Sequence, residues 1–256
     1  MKRNVKIAPI ALVFALFFAM MPNKASADSW GLSFQTPGQV PIGNATAEEL
    51  REHDAFFTGN INEKTIYLTF DAGFENGNTE PILDILQKHN VPAAFFLVGT
   101  YVRDNPDIIR RMVEEGHLIG NHTMNHPNMA TITDRAKFQA ELEEVEQHYK
   151  EVTGQDMPKF YRPPEGVYSV DNLKLAKELG YTTLFWSLAY VDWYVHDQPT
   201  AEEAFDKLIP RIHPGAILML HNTSTTNAEI LDQLIEEYHE MGYVFGGVDQ
   251  LMADSE

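Results

Sequence analysis

From Thr65 onward, short apolar or β-branched runs alternate with longer amphipathic segments. The runs Thr65 to Phe70, Ala93 to Leu97, His117 to Asn121, Lys159 to Tyr161, Thr182 to Ser187, Gly215 to Leu220 and Tyr243 to Phe245 predict strands. Helices are expected between them. The clearest has Phe138, Leu142, Val145, Tyr149 and Val152 at alternating spacings of four and three, which sets one apolar helical face. Thr200 with Glu203, and Thr226 with Glu229, each fit a capping box that opens a helix. Strands alternating with helices predict a parallel sheet with helices outside it. The run Gly215 to Leu220 is almost unbroken in its apolarity, as a strand buried on both faces should be. A closed or nearly closed barrel of βα units is the natural architecture.

The rest of the chain reads differently. Residues 28–63 show no sustained period and carry several turn residues, so they form an arm leading into the domain, with one short helix near Ala47 to Phe57. Residues 1–27 place Lys2, Arg3 and Lys6 ahead of an apolar run that ends in Ala25, Ser26 and Ala27. That layout is a secretory signal peptide cleaved after Ala27. The run from Ile7 to Met21 is short for a bilayer, which needs about 20 apolar residues, so a retained anchor is the lesser alternative.

Composition narrows the chemistry. The chain has no cysteine, so an exported protein here holds itself together by packing alone, and any metal site must use His and carboxylates. The formal charge of −18 becomes 22 excess negative charges once residues 1–27 and their four basic residues are removed. Such a protein repels polyanions, which disfavours nucleic acid as a partner. No stable protein partner is implied.

The candidate functional side chains fall where strands end. Asp71 follows the first strand, His122 and His126 the third, and Arg162 the fourth; Asp192 comes soon after the fifth and His221 directly after the sixth. In βα barrels the carboxyl ends of the strands share one face, so these residues should converge. Singly each has a plain structural reading: Asp71 before a turn, Arg162 on a surface acid, His221 as a hydrogen-bonded core residue. His122 and His126, in His-Thr-Met-Asn-His, have a spacing that brings two imidazoles together on a helical turn to bind a divalent metal.

Taken together and in this order, the elements Thr-Phe-Asp-Ala-Gly, His-Thr-Met-Asn-His, Tyr-Arg-Pro-Pro-Glu-Gly, Asp192 and His221 resemble the polysaccharide deacetylase family. This is carbohydrate esterase family four, with its NodB homology domain, and the resemblance covers Lys64 to Met252, within a catalytic domain of residues 64–256. It implies an α/β fold, an incomplete (β/α)7 barrel. It also implies roles: Asp71 as catalytic base, Arg162 orienting it, His221 as general acid tuned by Asp192, His122 and His126 as metal ligands, and the backbone N–H of Glu165 as oxyanion donor. The resemblance also implies a divalent metal, with zinc the expected ion, that polarises the acetyl carbonyl. The family usually has Asp where this chain has Ala72, so the third ligand is missing. Glu75, Asn76 or water completes the shell, or the ion is held weakly, or catalysis needs it less.

The Asp-Ala-Gly variant, with Phe74 to Gly77 and the stretch Trp186 to Trp193, looks like the branch that deacetylates N-acetylmuramic acid during muramic δ-lactam formation in spore cortex. Peptidoglycan glycan strands would then be the substrate, and the cell wall or spore envelope the place of action. Arg162 or a backbone N–H would meet the lactyl carboxylate, and Trp193, Tyr190 and Phe74 would contact sugar rings or fill core. The alternatives are an N-acetylglucosamine deacetylase, a xylan O-acetyl esterase, or a glycan-binding module without catalysis.

Overall fold

A computed structural model describes residues 27–255, so the proposed signal segment lies outside the described residues apart from Ala27. The arm begins with three two-residue strands, β1 (Asp28–Ser29), β2 (Leu32–Ser33) and β3 (Ile42–Gly43). Helix α1 (Ala47–Arg51) follows, opened by a Thr46/Glu49 capping box, and then β4 (Ala55–Phe56). The single helix expected near residues 47–57 is therefore half helix and half strand. Asp54 turns the chain with φ of 50°, and the apolar pair behind it, both residues buried, finds a sheet edge to join.

That sheet is the barrel. The chain runs through β5 (Thr65–Ala72), α2 (Thr79–His89), β6 (Ala93–Leu97), α3 (Gly99–Asp104), α4 (Pro106–Glu114) and β7 (Leu118–Asn121). It continues as α5 (Arg135–Thr153), β8 (Phe160–Tyr161), β9 (Val167–Tyr168), α6 (Val170–Glu178) and β10 (Thr182–Leu184). It ends with α7 (Ala201–Arg211), β11 (Ala216–His221), α8 (Thr225–Glu240) and β12 (Val244–Phe245). Parallel strands lie side by side in the order β11, β5, β6, β7, β8, β10, β4, with β12 also on β5. The curl does not close. Between its two ends the described residues form isolated bridges, Thr58 to Ala216 and Leu188 to Leu218, with hydrogen bonds of the Thr58 and Ser187 hydroxyls beside them, and no continuous ladder.

Each of the seven expected strands is present, and β5 is buried at seven of its eight positions. α5 buries Phe138, Leu142, Val145 and Tyr149, the face its spacing predicted, between an Asp134 N-cap and Gly154 in the left-handed region. Thr200 and Glu203 form the capping box expected for α7. The cap of α8 differs: Ser224 accepts from the Asn227 N–H, so this helix opens before Thr226. Ser224 follows β11 so closely that the helix must begin there to return across the sheet.

Candidate active site

Strand register sets the centre of the site. On adjacent parallel strands Asp71 and His221 are direct partners, and Phe70 pairs with Leu220 behind them. Neighbouring strands lie about 4.8 Å apart, so the two side chains emerge together at the carboxyl end of the barrel. The next strands deliver the rest: Ala72 pairs with Leu97, Leu97 with Asn121, and Asn121 with Tyr161, immediately before His122 and Arg162.

Arg162 is fully buried, a costly position for a guanidinium unless its donors are used. They are. Nη1 donates to Asp71 Oδ1 at 2.6 Å and to Thr69 Oγ1 at 3.0 Å, Nε to the Leu184 carbonyl at 3.0 Å and Nη2 to the Phe185 carbonyl at 3.3 Å. The Phe96 ring lies against the guanidinium at 4.1 Å. Burial alone would raise the Asp71 pKa, but the positive charge and hydrogen bond of Arg162, with the His221 imidazole, hold it below the usual carboxylate value. Asp71 is therefore an ionised base at neutral pH. Arg162 has no face left for substrate, which removes it as the partner of a lactyl carboxylate.

His221 is organised from the other side. Asp192, fully buried, accepts from His221 Nδ1 at 2.7 Å through Oδ1, and from the His221 backbone N–H at 2.8 Å through Oδ2. Asn227 Nδ2 donates to the same Oδ2 at 2.6 Å. Burial pulls the His221 pKa down, yet the Asp192 carboxylate outweighs it and the net direction is up. The Asp192 pair thus favours the protonated imidazole, the form a general acid requires.

His122 and His126 do come together, with ring centroids 4.9 Å apart and planes at 72°. The route differs from the expected helical turn. Residues 122–128 are irregular, and Thr123 and His126 both have positive φ, 69° and 55°, which folds the loop back on itself. His122 Nδ1 lies 2.8 Å from the Arg162 carbonyl, which can only accept, so Nδ1 carries the proton and Nε2 keeps its lone pair. Burial pushes the His122 pKa down to about 4, so the ring is neutral. Its Nε2 faces Asp71 Oδ2 across 3.8 Å, two acceptors with no proton between them. That donor set fits a divalent cation.

The fourth strand-end element supplies the oxyanion candidate. Glu165, after the Pro163–Pro164 pair, has φ of 57° and Gly166 has φ of 65°. A Cβ on Gly166 would lie 2.7 Å from the Trp186 indole, so glycine is required there. This turn brings Glu165 to the wall of a pocket of about 790 Å³, within the range of small-ligand sites. Asp71, Ala72, Phe74, His122, His126, Glu165, Trp193 and His221 line it, with Thr100, Asn125, Trp186, Met219 and Thr223.

The open positions at Ala72 are partly resolved. Glu75 is committed elsewhere: its carboxylate accepts from Thr79 Oγ1 at 2.5 Å, Tyr101 OH at 2.7 Å and the Gly77 N–H at 2.6 Å. Asn76 Nδ2 donates to the Thr223 carbonyl. Neither lines the pocket, so neither is a third ligand. A further group of His89, Asp232 and Glu236 sits where α2 meets α8, away from this pocket, and Lys88 already neutralises Asp232 at 2.6 Å.

Of the three aromatic candidates, Phe74 and Trp193 are about half exposed on the pocket, and Trp193 meets His221 edge-on at 5.7 Å. Tyr190 is buried in the adjoining wall, where its hydroxyl donates to Asn227 Oδ1. It braces the Asp192 support and lines a neighbouring cleft rather than this pocket. Sequence reasoning missed Thr69 and Asn227. Thr69 carried a signal, since it shares a strand face with Asp71; nothing local marked Asn227, which reaches Asp192 only across the fold.

The chain matches the polysaccharide deacetylase family pattern over residues 58–184. It is 44% identical to peptidoglycan-N-acetylmuramic acid deacetylase PdaA of Bacillus subtilis, over 89% of this chain and 87% of that protein. The solved structure of Bacillus subtilis PdaA, a family 4 carbohydrate esterase, superposes with a TM-score of 0.85 at 43% identity, covering 90% of this chain and 98% of that one. A family 4 carbohydrate esterase from Bacillus anthracis gives a TM-score of 0.75 at 39% identity, with coverage of 90% and 98%. A peptidoglycan-N-acetylglucosamine deacetylase of Bacillus cereus is 33% identical over 74% of this chain and 68% of that protein.

Proposed function

Because this chain belongs to the polysaccharide deacetylase family, we propose that it hydrolyses the N-acetyl group of N-acetylmuramic acid in peptidoglycan, releasing acetate. In spore cortex this step would precede closure of muramic δ-lactam. The observation that carries the catalytic part is the pairing of two opposed functions on adjacent strands. Arg162 favours the ionised form of Asp71 and Asp192 favours the protonated form of His221, side by side on one pocket. The similarity to the muramic acid deacetylase, which extends over 89% of this chain, supports the substrate.

The reaction follows from the positions. Water beside Asp71 gives up its proton to the carboxylate as it attacks the acetyl carbon. Arg162 holds the base in place and sets its charge. The Glu165 N–H faces the oxygen that becomes negative. His221 then protonates the departing sugar nitrogen, and Asp192 stabilises the imidazolium until that transfer. His122 and His126 would hold the cation, for which zinc suits two imidazoles, and when bound it polarises the acetyl carbonyl. With Ala72 in the usual place of a carboxylate, the protein shell is incomplete and the ion is held weakly.

The lactyl carboxylate of muramic acid meets no Lys or Arg among the pocket-lining residues. Hydroxyls of Thr100 and Thr223, side-chain N–H groups such as those of Asn125 and Trp193, and backbone N–H groups are the kinds of donor that line the pocket for it. Residues 1–27 act as the export signal, which agrees with a wall substrate. The described residues contain no helix long and apolar enough to cross a membrane.

Mass spectrometry of glycan strands, with and without stem peptides, tests the reading. Acetate should be lost from peptide-stripped muramic acid while neighbouring N-acetylglucosamine stays acetylated. Loss mainly from N-acetylglucosamine would move the chain to the alternative that the Bacillus cereus relative represents. Absence of any acetate release would leave a glycan-binding module, an outcome the intact Asp71 and His221 pairs argue against.

A further inference from the structure

The strained turn that brings Glu165 to the pocket is gripped from outside by the N-terminal arm. β1 pairs antiparallel with β9, Asp28 opposite Tyr168 and Ser29 opposite Val167, directly after the turn. The next residue, Trp30, donates its backbone N–H to the Gly166 carbonyl at 2.9 Å. Its indole Nε1–H donates to the Trp186 carbonyl, also at 2.9 Å. The indole is 6% exposed, stacked on Phe185 at 4.8 Å and tilted against Phe57 at 5.1 Å. Gly166 therefore lies between two tryptophans. A Cβ there would be 3.1 Å from the Trp30 Cβ on one side and 2.7 Å from the Trp186 ring on the other. Asn44 closes the arm on itself, accepting from the Gly31 N–H and donating to the Ser29 carbonyl.

A non-glycine residue with positive φ, such as Glu165, persists only where its surroundings over-determine it. The barrel supplies the Pro163 carbonyl to the Gly166 N–H. The Gly166 carbonyl and the strand that follows are held by the arm. We propose that Trp30 is a positioning residue for the reaction: the arm clamps the turn so that the Glu165 N–H is aimed before substrate arrives. This rests on the assignment of Glu165 as oxyanion donor. An oxyanion donor matters only as charge develops, so slackening the clamp should reduce kcat and leave KM nearly unchanged.

The experiment uses the full chain with Trp30→Ala and Trp30→Phe, acting on whichever acetylated glycan the wild type deacetylates. Amide hydrogen exchange across residues 163–168 is measured in parallel. Trp30→Ala should lower kcat about 10-fold to 100-fold, short of the loss seen when such a donor is removed outright, with KM within about twofold. Exchange across the turn should accelerate. Trp30→Phe keeps the stack on Phe185 and should recover most of the rate. If Trp30→Ala does not fold, Asn44→Ala loosens the arm without touching the core and should show the same pattern at smaller scale. Unchanged kcat in a variant whose turn exchanges faster would overturn the proposal, as would a fall in kcat with exchange across the turn unaltered. An inactive wild type would instead refute the hydrolase reading, a result that the variants cannot mimic.

Discussion

Arg162→Met probes the buried pair on which the base depends. Methionine follows much of the arginine's aliphatic path, so the packing loss is small and the electrostatic loss is isolated. Four hydrogen bonds vanish, and Asp71 is left in the barrel without the charge that compensates it. Breaking a buried pair by removing one partner costs about 3–5 kcal/mol. At about 2–4 °C per kcal/mol for a domain of this size, Tm should fall by roughly 6–20 °C. The pH dependence has a definite sign. In the wild type the depressed Asp71 pKa gives a contribution that is present above the unfolded value of about 3.9 and is lost as pH falls through the folded value. In the variant, burial acts without Arg162 and the pKa moves above the unfolded value, so the deficit is full at neutral pH. It shrinks as the solution is acidified. Calorimetry of both proteins from neutral pH down to about 4.5 reads the difference. Adding Asp71→Asn to Arg162→Met should restore part of the stability, because the cost lies in the orphaned charge. A single-variant loss under about 1 kcal/mol, the scale of a surface pair, or strict additivity in the double variant, would refute the reasoning.

Three further outcomes follow from the same geometry. Asp71→Asn should lower turnover about 100-fold to 10,000-fold in a folded protein, measured as acetate release, and a near-normal rate would remove Asp71 as the base. Asp192→Asn takes away the charge that raises the His221 pKa, so the alkaline limb of the kcat profile should move to lower pH; an unmoved limb would detach His221 from that limb. Ala72→Asp should tighten zinc binding in a calorimetric titration by restoring a carboxylate beside His122 and His126, and equal affinity in both proteins would show that the wild-type site is already complete.

Much of this protein was legible along the chain because its barrel strands are local, nearly uninterrupted apolar runs, and burial on both sheet faces demands such runs wherever they occur. The order of strand ends then predicts Asp71, His122, Arg162, Asp192 and His221 on one face of the barrel. Periodicity also marked the buried face of α5, and Thr200 with Glu203 marked the start of α7. Tertiary structure decided what depends on partners remote in sequence. Ala55 and Phe56 became a strand because β10 offered them an edge, and Ser224 displaced Thr226 as a cap because β11 ends so near. Arg162 was consumed by Thr69 and the carbonyls of Leu184 and Phe185, contacts made across 22 to 93 positions. Glu75 was claimed by Thr79 and Tyr101, and the two metal-site histidines were brought together by left-handed residues in a loop. Residue type and local pattern fix which groups are available and which strand end carries them; which acceptor each donor reaches is settled only when the sheet curls and buried polar groups must all find partners at once.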